Sequence, residues 1–178
     1  LSRLEEAQPR MQCIEFPISD VVEEMAQSFA APARNQNQDF ALRIQPMLAY
    51  TGDEKAIRQL VSILMDNALK YTPSGGWISL QLEKQGRALV LTVSNSTTQA
   101  LNQESVAHLF DRFYRVDPSR SSHTGGYGLG LSIAKGIASA HKGRIRADSP
   151  DGSSLVIQVT LPLNADRRAS KRERIGQS

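Results

Sequence analysis

Three side chains that could bind a ligand lie near the end of the most regular helical pattern in the sequence. They are Asn67, Lys70 and Tyr71, and their offsets of 0, +3 and +4 place them on one surface of a helix. An amide, a cation and an aromatic ring together can hold a metal-bound polyphosphate and its base. A polar border beside the core would show the same spacing, so the triplet alone leaves both interpretations open.

A glycine-rich run over residues 124–132, TGGYGLGLS, leads directly into a second predicted helix. Glycines let a backbone approach a phosphate closely, and a helix N-terminus offers free N–H groups with partial positive charge. The run is not a Walker loop, because no Gly-Lys-Ser/Thr follows, nor does it directly follow a strand as a dinucleotide fingerprint does. By itself it is compatible with a phosphate site and with an ordinary loop.

Between the two helical patterns lies a largely polar stretch over residues 95–126, which is typical of a functional lid. It contains an aromatic cluster, LFDRFYR, over residues 109–115. A small satellite core beneath a loop would explain the aromatic side chains, but not Arg112 and Arg115, which could neutralise phosphate charge. Asn95 begins the stretch at the end of a predicted strand, where its amide could face a bound base.

Regular elements flank these residues. The first helix follows a cap at Asp53 and ends before Pro73, and its apolar face comprises Ile57, Leu60, Val61, Leu64, Ala68 and Tyr71. Alternating apolar residues predict a hairpin over residues 78–93 that turns near Gln85 and Gly86. The second helix is predicted over residues 128–141, with Gly143 as its C-terminal cap. Two more strands are predicted over residues 144–148 and 154–161.

Upstream, the sequence predicts an edge strand over residues 13–17 and a helix that begins at Ser19 and Asp20 and runs to about Ala31. Glu23 stands at capping-box spacing from Asp20. Residues 40–44 alternate as a strand. Strands in hairpins, with helices long enough to cover one face of a sheet, predict an α/β two-layer sandwich.

The composition suits one compact domain of 178 residues, 40% of them apolar and 22% charged. No stretch approaches the ~18 apolar residues that a membrane span needs. Cys13 is the only cysteine, so an internal disulfide is excluded, and we expect it to be a small apolar strand residue. The net charge of +3 comes mainly from residues 167–174, RRASKRER, where we expect a solvated tail rather than a contact with nucleic acid or an anionic membrane surface.

The order of these pieces resembles the ATP-binding catalytic domain of sensor histidine kinases, whose Bergerat fold is shared with DNA gyrase, Hsp90 and MutL. LMDNALKYTP resembles the family's N box, LFDRFYRVDPSR its F box, and TGGYGLGLSIAKGIASAHKG its G2 box. The last two are long and specific, and the resemblance spans residues 16–163. It implies a mixed β-sheet covered on one face by helices, with a long ATP lid over about residues 96–126.

The G1 box departs from the family's pattern. Its usual form, Asp-x-Gly-x-Gly, offers an aspartate to the adenine amino group, whereas this chain reads VSNSTTQ over residues 93–99. An amide oxygen accepts the same hydrogen bond with neutral rather than charged strength. The resemblance therefore assigns adenine recognition to Asn95, and predicts weaker nucleotide binding than in relatives that carry the aspartate.

ATP-hydrolysing members of this fold have a glutamate, four residues before the N-box asparagine, that activates water. Ile63 occupies that position and cannot act as a base, which disfavours hydrolysis. Transfer to a histidine needs less help, because neutral imidazole is already a nucleophile. His108, His123 and His141 lack the family's acceptor motif, so we expect structural or surface roles; a charged His141 would suit a helix C-terminus.

The resemblance implies ATP and Mg²⁺ as ligands and assigns roles to the boxes. Asn67 would hold Mg²⁺, Lys70 and Arg112 or Arg115 would balance phosphate charge, and Tyr71 would lie against the nucleotide. Of these, Asn67, Lys70 and Arg112 are the expected catalytic residues. The phosphate cradle would be the backbone of Gly126, Tyr127, Gly128, Leu129 and Gly130.

The resemblance also divides the chain. Residues 1–11 would end an upstream dimerisation helix or linker, residues 12–163 would form the catalytic domain, and residues 164–178 a disordered basic tail. The expected partners are a dimerisation domain that carries the phosphorylated histidine and, through the whole kinase, a response regulator. By analogy the domain is cytoplasmic and its parent membrane-anchored. A nucleotide-free pseudokinase relay module and an ATP-hydrolysing clamp of the gyrase or Hsp90 type remain as alternatives.

Overall fold

The computed structural model describes residues 11–98, 101–111 and 130–163. Its helices are α1 (Ile18–Gln27), α2 (Ala30–Asn35), α3 (Glu54–Tyr71), α4 (Gln103–Ala107) and α5 (Gly130–Ala140). Its strands are β1 (Ile14–Phe16), β2 (Asp39–Ile44), β3 (Tyr50–Gly52), β4 (Trp77–Gln85), β5 (Ala88–Ser96), β6 (Arg144–Asp148) and β7 (Ser154–Pro162). Within these residues, no helix has the length and apolar content to cross a membrane.

The central sheet is mixed. Its five strands lie in the order β2-β4-β5-β7-β6, with β2 parallel to β4 and all other neighbours antiparallel. β1 and β3 form a separate antiparallel pair. Both predicted hairpins are confirmed, and each turn contains a glycine with positive φ: Gly86 at +60° and Gly152 at +73°.

One face of the sheet is apolar and packs against the helices. Alternate residues of β4, β5 and β7 are buried there: Ile78, Leu80, Leu82, Leu89, Leu91, Val93, Leu155, Ile157, Val159 and Leu161. The helical layer of the same core includes Ile57, Leu60 and Leu64 of α3. On the other face, Gln81 and Thr92 neighbour each other in register and are only half-buried. The predicted α/β two-layer sandwich is therefore confirmed.

α3 forms as predicted because its ends are specified locally. The Asp53 carboxylate accepts a hydrogen bond from the Ala56 N–H at 3.2 Å and caps the first turn. Pro73 disfavours helical backbone at the residue before it, and Thr72 is extended. The Thr72 hydroxyl donates to the Ala68 carbonyl at 2.6 Å, so the last turn is closed by a side chain.

The single helix predicted from Ser19 to Ala31 is wrong, because α1 and α2 divide this segment with a turn between them. Pro32 falls in the first turn of α2, where a missing N–H breaks no intrahelical bond. Helix α1 has no side-chain N-cap. Instead, the Ser19 hydroxyl donates to the Gln45 carbonyl at 2.6 Å and accepts from the Leu48 N–H at 2.9 Å. Its polarity serves a long-range contact rather than a cap.

α5 ends in a Schellman motif whose left-handed residue is Lys142, with φ +60°, and not the predicted Gly143. The N–H groups of Lys142 and Gly143 donate to the carbonyls of Ser139 and Ala138 at 2.9 and 2.8 Å. Glycine is required at 143 for space, because a Cβ there would overlap the carbonyl oxygen of Thr160 in β7. The predicted cap was therefore misplaced by one residue.

A smaller correction concerns Cys13. It precedes β1 and is exposed, so it is not the strand residue that was expected. The apolar run of which it is part contributes only Phe16 to the core.

The register gives the sheet two ends. Asp39, Trp77, Asn95 and Ser154 lie at or next to one of them, which we call the Asn95 end. Gln85, Ala88 and Pro162 lie at the other, which we call the Gly143 end because Gly143 contacts β7 there. α3 ends beside Ser96 at the Asn95 end, whereas α5 ends against β7 at the Gly143 end. The two long helices therefore run in opposite directions.

Candidate functional site

The last two turns of α3 carry Asn67, Lys70 and Tyr71 at the Asn95 end. All three residues are half-buried, at the border between core and solvent. Lys70 Nζ lies 3.3 Å from Asp66 Oδ2, an ion pair of i, i+4 spacing along the helix. The predicted grouping of amide, cation and ring is therefore present on one helical flank.

Asn95 lies near the end of β5 and is 2% exposed. It follows Leu91 and Val93 at every second position, so its side chain lies on the helix-covered face of the sheet. Its Nδ2 donates to the Ser96 carbonyl at 3.0 Å. With its nitrogen engaged, the carboxamide keeps Oδ1 as its hydrogen-bond acceptor. The predicted adenine contact of Asn95 stays a prediction.

Gly76 brings the end of α3 and the end of β5 together. A Cβ on Gly76 would lie 2.5 Å from Ser96 Oγ and 2.8 Å from Thr72 Cγ2. Ser96 Oγ also accepts a hydrogen bond from the Trp77 N–H at 3.0 Å. Thr72 follows the α3 triplet directly and Ser96 follows Asn95 directly, so the two sets of predicted ligands belong to one region of the molecule.

The start of α5 lies against the flank of α3 that leads to Asn67. A Cβ built on Gly130 would lie 3.6 Å from Ile63 Cγ2, one helical turn before Asn67. The N-terminus of α5 carries partial positive charge and favours an anion near it. Of the phosphate cradle predicted over residues 126–130, only Gly130 lies among the described residues, and the cradle stays a prediction.

The chain that follows Asn95 is fixed by the turn between β6 and β7. The N–H groups of Thr97 and Leu101 donate to the carbonyls of Ser153 and Gly152 at 2.8 and 3.0 Å. In place of the glycines of the family's G1 box, this segment has backbone bonds to a neighbouring hairpin. In the sequence, that hairpin turn is only a connection, and nothing there predicts its contact with the segment after Asn95.

Asp151 stabilises the same turn. Its Oδ1 accepts from the N–H of Ser153 at 3.0 Å, and from the N–H and hydroxyl of Ser154 at 2.9 and 2.8 Å. These bonds, with that from the Ser154 hydroxyl the strongest cause, lower the pKa of the Asp151 carboxyl below its ordinary value. The Asp-Gly-Ser-Ser sequence predicts the turn but not what the turn holds.

His141 has a structural role, as expected, but it is not the charged residue that was suggested for this helix end. It is buried; Nε2 accepts from the Asp53 N–H at 3.0 Å and Nδ1 donates to the Ile137 carbonyl at 2.8 Å. A nitrogen that accepts carries no proton, so the ring is neutral. The ring of Tyr50 packs against it at 5.9 Å between centroids. Burial, with a smaller effect of the Cys13 charge, raises the pKa of Tyr50 to about 12.

His108 lies at the surface, where its Nδ1 is 2.6 Å from Asp111 Oδ2. Several residues singled out in the sequence lie outside the described residues: Arg112, Arg115, His123, Gly126, Tyr127, Gly128 and Leu129. Residues 1–10 and the basic tail over residues 164–178 also lie outside them. The roles assigned to all of these stay predictions.

The donor set suits Mg²⁺ only if a nucleotide brings it. Across residues 11–98, 101–111 and 130–163, no group of three or more His, Cys, Asp or Glu side chains could hold a metal ion. The Asn67 amide oxygen is a hard donor, and Mg²⁺ in proteins commonly takes one or two such ligands and completes its octahedron with phosphate and water oxygens. The residues present therefore fit a nucleotide-borne Mg²⁺.

Comparison with known proteins agrees with this geometry. The family model described as histidine kinase-, DNA gyrase B-, and HSP90-like ATPase matches residues 52–165. Sensor histidine kinase RppB of Synechocystis sp. is 34% identical over 92% of this chain, which spans only 36% of RppB. The nucleotide-free catalytic domain of histidine kinase ThkA matches with a TM-score of 0.74 at 25% identity, over 85% of this chain and 96% of that domain.

A second structure of ThkA, in complex with response regulator protein TrrA, matches with a TM-score of 0.73 at 23% identity, over 92% of this chain and 46% of that one. The family match spans α3, β4, β5, α5 and the last two strands, which are the elements that meet at the Asn95 end. The chain therefore belongs to the histidine kinase-, DNA gyrase B- and HSP90-like ATPase family, as an ATP-binding catalytic domain of the sensor histidine kinase type.

Proposed function

We propose that this domain transfers the γ-phosphate of ATP to a histidine on a separate dimerisation domain of the same protein, in two-component signal transduction. The observation that carries the proposal is the meeting of three features at the Asn95 end: the α3 triplet, the buried Asn95 amide and the region of α3 against which α5 begins. A base acceptor, a cation and a helix N-terminus are the groups that a nucleoside triphosphate requires.

Each group would meet a different part of the nucleotide. Asn95 Oδ1 accepts from the adenine amino group, and Tyr71 lies along the nucleotide. Lys70, which is paired with Asp66 in this structure, exchanges that partner for phosphate oxygens. Asn67 is the residue that would hold Mg²⁺, which neutralises charge on the phosphates. Arg112, Arg115 and the backbone of residues 126–130 complete the phosphate contacts.

The same site favours transfer over hydrolysis. Ile63 is half-buried beside Gly130 and has no group that could deprotonate water. An imidazole nitrogen needs no such base: it attacks the γ-phosphorus, the bond to the bridging oxygen breaks, and ADP leaves. This apolar contact is the observation against an ATP-hydrolysing clamp.

The remaining assignments concern the whole protein. We place the catalytic domain at residues 12–163, after the end of a dimerisation helix or linker and before a basic tail. Its partners would be the histidine-bearing dimerisation domain and a response regulator, as ThkA has in its complex with TrrA. The parent protein would be anchored in the bacterial membrane with this domain in the cytoplasm, where ATP is available.

Calorimetric titration with the Mg²⁺ complex of a non-hydrolysable ATP analogue tests the proposal. Wild-type protein should bind it with roughly 4 to 8 kcal/mol, which is sub-millimolar to micromolar affinity. Asn67→Ala and Asn95→Ala should each lose most of that binding. Gln59→Ala serves as the control, because Gln59 is exposed on the same helix and far from its last turns.

The alternatives predict other results. Absence of binding by wild-type protein at millimolar analogue would favour the relay module and overturn the proposal. Steady release of inorganic phosphate from Mg·ATP, without any acceptor domain, would favour the hydrolysing clamp. The proposed transferase binds the analogue, releases little phosphate, and labels a histidine only when a dimerisation domain is supplied.

A further inference from the structure

A buried glutamine closes the end of α3 from another part of the chain. Gln38 follows α2 and is 5% exposed. Its Nε2 donates to the carbonyls of Leu69 and Thr72 at 3.0 and 2.7 Å, and also lies 3.1 Å from Gln36 Oε1. The two carbonyls flank Lys70 and Tyr71 in sequence, so this side chain is bonded to the turn that carries them.

The end of α3 needs such a donor because of its own sequence. The carbonyl of Leu69 would ordinarily accept from the N–H four residues later, but that residue is Pro73, which has none. Gln38 supplies the missing donor from 31 positions earlier in the chain. The proline that ends the helix and the glutamine that satisfies it therefore act together.

Two backbone bonds extend the contact. The Gly75 N–H donates to the Asn37 carbonyl at 2.8 Å, and the Asp39 N–H donates to the Gly76 carbonyl at 2.9 Å. We call these contacts between residues 37–39 and 69–76 the Gln38 clasp. Gly76 in turn packs against Ser96, directly after Asn95. The clasp therefore lies between the α3 triplet and the adenine acceptor.

The carbonyl oxygen of the Gln38 amide indicates that the nitrogen is the half that this position uses. Gln38 Oε1 is buried and has no hydrogen-bond partner among the described residues. An unpartnered buried oxygen destabilises the folded state, and an apolar side chain of similar size would avoid that effect. The amide is therefore useful at this position for its two N–H donors.

We propose that Gln38 is a positioning residue for nucleotide binding, which sets the last turn of α3 relative to Asn95 and so fixes the distance between the phosphate and adenine contacts. This inference rests on the proposed function. Gln38 touches no part of the nucleotide; it acts through the carbonyls of Leu69 and Thr72.

Gln38→Met tests the inference, because methionine preserves length and removes both donors. At a temperature well below the lowest unfolding midpoint, the Kd for Mg·ADP should rise about tenfold. Gln38→Asn, which keeps an amide but withdraws it by one methylene, should raise the Kd in the same direction and replaces Gln38→Met if that variant does not fold. Calorimetry gives the Kd, and circular dichroism checks the fold and the midpoint.

Ser19→Ala is the matched control. Ser19 is also buried, and also bonds two backbone groups of a distant loop, but at the Gly143 end of β2. It should lower the unfolding midpoint and leave the Kd within about twofold of wild type. A Kd within twofold of wild type in both glutamine variants would overturn the positioning role alone. No Mg·ADP binding by wild-type protein would overturn the proposed function with it.

Discussion

The two ends of the sheet combine close packing and polar contacts in different proportions. At the Gly143 end, Gly143 packs closely against the Thr160 carbonyl, and Gly52 against the rings of Tyr50 and His141. The Ser19 hydroxyl adds polar bonds to a loop at the same end. At the Asn95 end, Gly76 packs closely against Ser96, and polar side chains add several bonds. Gln38 bonds the end of α3, Ser96 accepts from the Trp77 N–H, and Asp151 holds its own turn through Ser153 and Ser154. This difference in contacts bears on the roles of the two ends.

Closely packed atoms resist any displacement. Hydrogen bonds also fix the relative positions of segments, but a small shift costs them less energy. The described ligand residues of the proposed site, Asn67, Lys70, Tyr71 and Asn95, lie at the Asn95 end. α3 and α5 each reach that end from an anchor at the other, through Asp53 and Gly143 respectively. The Gly143 end therefore anchors the two helices, and the Asn95 end is the proposed binding region. Substitutions should change the free energy of unfolding mainly at the Gly143 end, and the affinity for nucleotide mainly at the Asn95 end.

The largest effect is expected from Gly143→Ala. The new Cβ would overlap the Thr160 carbonyl and lie 3.3 Å from the Ala138 carbonyl, so α5 would have to leave β7. We expect a loss of at least about 3 kcal/mol in the free energy of unfolding. Chemical denaturation followed by circular dichroism measures it.

Gly136→Ala provides the same substitution on the same helix. A Cβ at Gly136 would meet nothing within 4 Å. Alanine should there stabilise the protein by about 0.5–1 kcal/mol, because it lowers the backbone entropy lost on folding. Equal effects at the two glycines would contradict the steric account of the Gly143 end.

His141→Ala should have the next largest effect. It removes the acceptor of the Asp53 N–H and the ring against which Tyr50 packs, and so disconnects the end of α5 from the start of α3. We expect destabilisation by about 2–4 kcal/mol in thermal or denaturant unfolding. Ser139→Ala, an exposed position on α5, should change stability by less than about 0.5 kcal/mol. A similarly small change at His141 would mean that the two helices are not coupled through this ring.

Gly143 and His141 also show how far the sequence predicts the fold. The apolar period of α3, its Asp53 cap and the alternating strands were read correctly, because those signals are local. Gly143 was predicted for the wrong reason, since the Thr160 carbonyl lies far along the chain and only the fold brings it close. A neutral His141 could not be predicted either, because its charge state depends on the Asp53 N–H opposite.

The residues around the candidate site also fall into those that the sequence predicted and those that it did not. Asn67, Lys70 and Tyr71 were identified from spacing on one helix, and Asn95 from its place in a family pattern, and the fold brings these residues to one end. Gln38 and Asp151 gave no such signal. A lone glutamine before a strand looks like a surface residue, and its partner, the unpaired Leu69 carbonyl, becomes visible only when Pro73 is considered as a lost donor.

At the Asn95 end, Asn95→Asp should raise the affinity for nucleotide. A carboxylate forms a charge-assisted bond with the adenine amino group, so the Kd for Mg·ADP should fall about fivefold. The buried carboxylate would also face the Ser96 carbonyl, to which Asn95 now donates, so some stability should be lost. The corresponding hypoxanthine nucleotide lacks the amino group and should show no such gain. An equal gain with both nucleotides would show that residue 95 does not contact the amino group.

Lys142→Gly should produce a small gain in stability at the Gly143 end. Lys142 has φ +60°, a conformation that glycine adopts without the Cβ penalty. The net effect should be a stabilisation of about 0.5 kcal/mol, since glycine also loses more backbone entropy on folding. Denaturant unfolding measures it. Lys142→Ala, which retains a Cβ, should show no gain, and a loss with glycine would mean that the lysine side chain itself stabilises the helix end.

The smallest expected effect is the pH dependence of the stability that Asp151 contributes. Because hydrogen bonds hold the pKa of Asp151 below its ordinary value of 3.8, its contribution to stability is fully present above that value and is lost as pH falls through the folded-state pKa. Asp151→Asn keeps an Oδ1 acceptor for the Ser153 and Ser154 donors but does not titrate. The wild-type midpoint should therefore exceed that of the variant slightly at neutral pH, and the difference should shrink below about pH 4. Asp151 is exposed, so the difference is small and needs scans of both proteins side by side. A difference that does not change with pH would mean that the charge of Asp151 adds nothing to the turn, and that the Asn95 end depends on the geometry of these bonds alone.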